Sequence, residues 1–375
     1  MIHGLLGSVI GATLLVTWGA RGLPLDATGE RPQLHFENGL RLDPTLTPAD
    51  YSPRPLQGGS ASQTWEYAFQ FSGGLRLLVQ MRITNLGPGS EHAQLTAAAA
   101  WPYGQVPRLT SNGRPRGEWT LSTDDKGFTL GVAQHVVKIS SDRHHLTLRS
   151  GSGAYDIDAV PTIPPYRAGR VSLGRSNFYD LTIVAPRLRV RGTQIEPDGS
   201  RRDLGEGGGI MVHTRTNVAD YDRALAMFGF HSFDEPAGLS FLEFTAARTR
   251  ERLGLLLLIE DGHVRAWPGA IVREFAGLEP EAASPRYPIP TAFTLSGVDL
   301  AGRASLRLLR RDDLLSQISS PLFRFIVGQH THPVQYVFSA DYRVSWGRDS
   351  DARTVAGAGL ASLSVLNAPP SGRSW

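Results

Sequence analysis

Beyond residue 60, apolar and polar positions alternate along most of the chain, the period of strands with one buried face. In "QTWEYAFQF", Trp65, Tyr67, Phe69 and Phe71 share one face while Glu66 and Gln70 take the other. Ser72-Gly73-Gly74 turns the chain, and "LRLLVQMRIT" returns with Leu75, Leu77, Val79, Met81 and Ile83 on one face, so a hairpin is predicted. The runs "EHAQLTAAAA", "GEWTLS", "KGFTLGVA", "HVVKIS", "HLTLRS" and "AYDIDAV" follow at about ten-residue spacing, the rhythm of a meander barrel or sandwich. "FYDLTIVAPRLRVRGTQI" reads as a strand pair or as one strand bent at Pro186, since proline cannot donate to a ladder.

The pattern then restarts. "LAMFGFHSF–DEPAG–LSFLEFTAA" repeats the order of "WEYAFQF–SGG–LRLLVQMRIT" roughly 165 residues further on: aromatic strand, glycine-containing turn, apolar strand. "GLLLLIED–GHVRAW", "TAFTLSG", "ASLRLLRRDD", "PVQYVFSADYRVSW" and "TVAGAGLASLSVLN" complete a second unit. Two successive all-β domains are expected, over residues 31–218 and 219–375, after a segment over 1–30. Helix is confined to a turn or two in "NVADYDRALA" and short pieces in "LEPEAA" or "DDLLSQIS".

"MIHGLLGSVIGATLLVTWGA" carries no charged side chain before Arg21, and twenty helical residues span roughly 30 Å, about one hydrocarbon core. Three readings stay open: an anchor or membrane-lying helix, an export signal, or a soluble start. Arg21 and Arg31 would hold the body on the cytoplasmic side of an anchor, whereas export would carry it across. A membrane surface is thus an expected partner through residues 1–20, on a side left open.

Composition narrows the chemistry. Apolar residues make up 41% of the 375, enough for ordinary cores. The net charge of +3 is small and no long basic run occurs, so nucleic acid is not an expected partner. Absence of cysteine excludes disulfides, thiolate metal sites and cysteine nucleophiles.

"GEGGGIMVHTRTN" (205–217) resembles a phosphate cradle only superficially. It has no Gly-Lys-Ser/Thr, fails the dinucleotide spacing and leads into a strand. Its glycines fit close backbone approach at a domain junction. Alternation sets Met211, His213 and Arg215 on one face and Ile210, Val212 and Thr214 on the other. Facing inward, the first trio would present a neutral imidazole and a fixed cation to a guest's polar head. The other constellations read as surface or turn chemistry. These are "HTH" at 330–332, the opposed His144 and His145, and Asp156 with Asp158; no metal site and no cofactor is expected. No Gly-x-Ser-x-Gly elbow occurs.

The succession "TWEYAFQF–SGG–LRLLVQMRITN", "FYDLTIVAPRLRVRG", "GEGGGIMVHTRTN", "LAMFGFHSF" and "GAGLASLSVLN" resembles the tandem lipocalin-like superfamily. That superfamily holds carotenoid hydratase-like proteins, fungal survival-factor-like lipid-binding proteins and lipocalin-type Diels–Alderases. The resemblance implies two lipocalin-like antiparallel barrels side by side, with apolar small molecules or lipids bound within or between them. Hydratase-like members carry an Asp-His pair followed by Trp on the strand matching "MVHTRTN". Here Val212 precedes His213 and no Trp follows, so the carboxylate is missing there.

The expected function is therefore non-catalytic binding or transfer of a lipid or isoprenoid. Trp65, Tyr67, Phe69, Phe71, Met211, His213, Arg215, Phe228 and Phe230 are its expected contacts. The alternative is a hydratase- or Diels–Alderase-like enzyme acting on a polyene, with His213 as its catalytic group.

Overall fold

The computed structural model describes residues 34–37, 42–85, 90–102, 109–150, 153–174, 176–234, 237–247, 249–267, 271–281, 287–317, 321–328, 331–348 and 351–367. The hydrophobic stretch over 1–20 and its linker lie outside them, as does His330. Among the described residues, no helix is long and apolar enough to cross a membrane.

The chain is nearly all β. The first sheet begins with β1 (His35–Phe36), a short helix α1 (Pro48–Tyr51), and the predicted hairpin β2 (Ser62–Phe71) and β3 (Arg76–Thr84). It continues through β4 (His92–Ala100), β5 (Leu109–Arg114), β6 (Trp119–Thr123), β7 (Gly127–Val132), β8 (His135–Ser140), β9 (His144–Ser150) and β10 (Gly153–Pro161). Then follow β11 (Tyr166–Ser172), β12 (Phe178–Ile195) and β13 (Arg201–Thr216). A turn of helix, α2 (Asp220–Arg223), leads into the second sheet: β14 (Ala224–Ser232), β15 (Ala237–Ala246), β16 (Arg252–Glu260), β17 (His263–Ala266) and β18 (Val272–Glu279). That sheet ends with β19 (Ile289–Gly297), β20 (Leu300–Asp313), α3 (Pro321–Gly328), β21 (Val334–Trp346) and β22 (Arg353–Val365).

Both sheets follow the same rule. From β2 on, most consecutive strands pair antiparallel, with breaks at β5–β6, β10–β11 and β17–β18, and the last strand returns to the aromatic strand near the start: β13 pairs with β2, and β22 with β14. The repeated aromatic hairpins β2–β3 and β14–β15 therefore hold equivalent places. β12 is one bent strand. Its first half pairs with β11 and its second half with β10, and the register slips between Ile183 and Leu188, around Pro186. A residue without an N–H sits where the strand changes neighbours.

Each barrel interior is a packed core. Trp65, Tyr67, Phe69, Met81 and Leu95 fill the first, and Phe230, Phe241, Phe293, Tyr336 and Phe338 the second. α1 closes one end of the first barrel, where Tyr51 is buried and its carbonyl accepts the Trp65 indole N–H at 2.7 Å. A third cluster joins the barrels through the faces opposite these cores: Ala68, Leu78 and Ile210 meet Leu257, Val337 and Leu360. The glycine run explains part of this contact. A β-carbon on Gly209 would lie 2.6 Å from the Phe69 ring, and one on Gly208 2.4 Å from Phe233 Cβ of the second unit. The run lets one barrel lie flush against the other, as a junction requires.

Candidate functional site

The period-two pattern that turns aromatic rings inward must turn their neighbours outward. Glu66 on β2 is registered against Val212 on β13 and Gln80 on β3, and Gln80 against Thr96 on β4. This outward face meets the second barrel rather than open water. Between the two lies a cleft of about 860 Å³, room for roughly thirty waters.

The two walls differ in chemistry. The first barrel contributes a polar band of Thr64, Glu66, Gln80, Arg82, Thr96 and Thr214, shading into Leu78, Ala98 and Val212. The second contributes Met227, Leu242, Phe244, Leu253 and Leu255, with Ser362 and Ser364 beside them. A concave space of this volume, polar on one wall and largely apolar on the other, has the size of a small-molecule site.

Glu66 is the titratable group in the middle of that wall. Burial pushes its carboxyl above the usual value of 4.5, opposed by the Gln80 amide, which donates to Oε2 at 3.1 Å, and by the Arg223 charge. The neutral acid is therefore favoured relative to an exposed glutamate. Asp220 behaves oppositely. Burial raises its pKa, but Arg82 and Arg223 outweigh this and hold it below 3.8; Arg223 Nη2 lies 2.8 Å from Oδ1. Asp220 is thus a fixed anion clamped between two guanidiniums where the chain passes from one barrel to the next.

Tyr179 completes this end. Its ring lies 5.6 Å from that of Phe244 across the cleft, stacked, and the Arg223 guanidinium sits 5.0 Å above it. Burial raises its pKa, so it stays a phenol. One wall thus holds a buried acid of raised pKa, an uncharged phenol and a compensated ion cluster side by side.

The nine residues expected as contacts lie elsewhere, with one exception. Trp65 stacks on His213 at 4.7 Å with planes 11° apart, deep in the first barrel. Tyr67 lies 5.1 Å from Phe69, and Phe69 6.2 Å from Phe71. Met211 is fully buried in the same core. Burial, then Arg215 and Arg54, drives the His213 pKa down to about 3, and its buried Nε2 has no hydrogen-bond partner. Arg215 is partly buried on the same strand, with its neighbour Asp180 already gripped by Arg170 at 2.7 and 2.9 Å. Phe230 packs on Phe293 at 5.4 Å inside the second barrel. Phe228 packs there too, and it alone of the nine also borders the cleft.

The remaining constellations separate. His144 points inward, 3.0 Å from the Tyr67 hydroxyl. His145 points outward between Asp156 at 3.2 Å and Asp158 at 3.1 Å, a surface cluster. Among the described residues, no group of histidine and acidic side chains has the arrangement of a metal site.

Sequence reasoning missed Glu66, Gln80, Arg82, Tyr179, Asp220 and Arg223. A carboxylate at the centre of an aromatic strand was the available signal, but alternation does not say which face meets solvent.

No family model and no curated protein matches the sequence. Solved structures do. Kievitone hydratase from Nectria haematococca superposes with a TM-score of 0.59 at 11% identity, over 90% of this chain and 97% of that one. A protein of Nitrosomonas europaea described as AttH superposes with a TM-score of 0.57 at 12% identity, over 84% of this chain and 95% of that one. At such identities the likeness is one of fold. The chain has the tandem lipocalin-like architecture, two antiparallel barrel-like sheets in succession.

Proposed function

We propose that this protein takes an apolar, alkene-bearing small molecule into the cleft between its barrels and protonates it from Glu66, as the first step of a hydration. The observation that carries this reading is a buried, neutral-leaning carboxylic acid facing an apolar wall in a cleft of ligand size. Proton donation to an unactivated alkene needs an acid still protonated near neutrality and a site that keeps bulk water from the cation. Burial, which raises the Glu66 pKa, moves it toward the first need. The Met227, Leu242 and Phe244 wall answers the second.

The missing carboxylate on β13 bears on this. Val212 stands where hydratase-like members carry Asp, yet Glu66 is its direct cross-strand neighbour on the same face. On this reading Glu66 supplies the acid from one strand over. The fold shared with kievitone hydratase agrees with hydration chemistry but does not by itself assign it.

The test is incubation with acyclic isoprenoid alkenes (citronellol, farnesol, squalene), with detection of products heavier by one water. Wild-type protein should hydrate at least one of them, and Glu66→Gln should lose about 100-fold or more in rate. Equal turnover by Glu66→Gln, or no turnover of any alkene, would overturn the catalytic reading.

One observation favours a second reading, carriage inside the first barrel, for which its packed core would have to open around a guest. Beside the Trp65 row, the buried His213 Nε2 finds no partner within the protein. A carrier of this kind would bind without turnover and would not depend on Glu66.

A further inference from the structure

Gly229 lies in the cleft wall on β14, registered between Leu242 on β15 and Ser362 on β22. Its φ is not left-handed, so the backbone does not demand glycine. What glycine provides is room. A β-carbon there would lie 3.3 Å from Ser362 Oγ and 3.4 Å from His231 Nε2. The His231 ring, two residues along the strand, therefore leans back toward the space that Gly229 leaves empty. Its other nitrogen, Nδ1, is held by the Ser240 hydroxyl at 2.8 Å. His231 is 5% exposed, and among the described residues no side chain or backbone group hydrogen-bonds its Nε2.

We infer that Gly229 and Ser362 in the cleft wall, with the His231 imidazole behind them, form a polar notch, and that it takes a hydroxyl, of a ligand or of a water molecule. The inference rests on the reading of the cleft as a small-molecule site. Burial drives the His231 pKa down to about 4, so the ring is neutral. A neutral imidazole gives Nε2 as donor or as acceptor, according to whether Ser240 donates to Nδ1 or accepts from it. A hydroxyl can satisfy both tautomers; a carboxylate cannot accept from a bare nitrogen, and an ammonium cannot donate to an N–H. Ser362 Oγ adds a second partner within reach of the same oxygen.

In the hydration, the notch supplies the second half of the reaction. The alkene π pair takes the Glu66 proton and forms a C–H bond. The oxygen of a water in the notch forms the C–O bond with the resulting cation. The proton that this oxygen sheds passes to His231 Nε2, in the tautomer whose Nδ1–H donates to Ser240; His231 then releases it to solvent, and solvent returns one proton to Glu66, which restores both groups. Ser240 is a positioning residue. His231 touches the reacting oxygen.

The test compares binding of citronellol with that of its hydrate, hydroxycitronellol, by isothermal titration calorimetry. All proteins carry Glu66→Gln, so that the alkene is not consumed. The two ligands differ by one water added across the double bond, which supplies a tertiary hydroxyl. The hydrate should bind about tenfold more tightly, the value of one hydrogen bond to a group otherwise left unsatisfied. Adding His231→Leu should abolish the preference while citronellol affinity stays within about threefold. Gly229→Ala, which keeps the imidazole but places a methyl group in the notch, should do the same and covers the case in which His231→Leu fails to fold. An undiminished preference in Gly229→Ala, or no preference in the Glu66→Gln parent, overturns the notch alone. Failure of both ligands to bind the parent overturns the cleft reading beneath it.

Discussion

Gly208→Ala is a single methyl group aimed at the seam between the barrels. The new carbon would lie 2.4 Å from Phe233 Cβ, whereas unbonded carbons settle at about 3.5–4.0 Å, so more than ~1 Å must be recovered. The rotamer of Phe233 cannot relieve this, because the clash is with its β-carbon. Either the strand or the whole second barrel must move, at a typical overpacking cost of about 1–3 kcal/mol. The substitution also stiffens the unfolded chain, which stabilises by about 0.4–1 kcal/mol where the backbone tolerates alanine. In the wild-type background the clash wins and Gly208→Ala destabilises. In a Phe233→Gly background only the unfolded-state term remains, so the same substitution becomes neutral or stabilising. Guanidinium melts of the four proteins of this cycle, read as midpoint shifts at constant slope, measure the change of sign. Additivity within about 0.5 kcal/mol would refute the claim that the glycine run exists to seat the second barrel.

Other predictions follow from the buried charges. Glu243 and Arg273 form an ion pair inside the second barrel, 2–3% exposed, with the guanidinium 3.7 Å from the Phe275 ring. Removing one partner, as in Glu243→Gln, should cost about 3–5 kcal/mol in a denaturant melt, whereas joint replacement by Leu and Met should cost far less. His135, His144 and His231 are driven by burial to about 4 and His213 to about 3, below the unfolded value near 6.5. The unfolded state therefore binds protons first as pH falls. The stability these neutral rings contribute is complete above pH ~6.5 and drains as pH drops toward ~4, with a histidine slope approaching about 5 kcal/mol per pH unit near pH 5. Urea melts across that range should show the loss, and a flat profile would contradict the burial. Asp220, held below 3.8 by Arg82 and Arg223, contributes above the unfolded carboxylate value and loses its contribution only as pH falls below it. Asp220→Asn should therefore weaken the protein at pH 7, read as a lower thermal midpoint, and much less at pH 3.

Most of the architecture was legible. Trp65, Tyr67, Phe69 and Phe71 alternate with polar residues, and that alone fixes a strand with an aromatic buried face. The recurrence of this strand as "LAMFGFHSF" fixes two units, because in each sheet the last strand returns to pair with the aromatic one. Pro186 allowed a strand pair or a bend, and the bend is what forms, since β12 serves different neighbours on either side of it. The site was much less legible. Alternation divides Glu66 from Trp65, and Val212 from His213, but is silent on what covers the second face. Here the second barrel covers it, so residues that read as solvent-facing line the cleft. Glu66 on one wall and Gly229 on the other come to line one cleft only through contacts that no local pattern encodes. His213 attracted attention for its chemistry, yet its face of β13 turns into the first barrel while Val212 and Thr214 face the cleft.

The most direct measurement of the central claim is a crystal structure with a bromine-labelled farnesol analogue, the halogen located by anomalous scattering. The account predicts a peak between the barrels, bounded by Glu66 and Gln80 on one wall and Met227 and Leu242 on the other. A peak inside either barrel, among Trp65, Tyr67 and His213 or among Phe230 and Phe293, would contradict it.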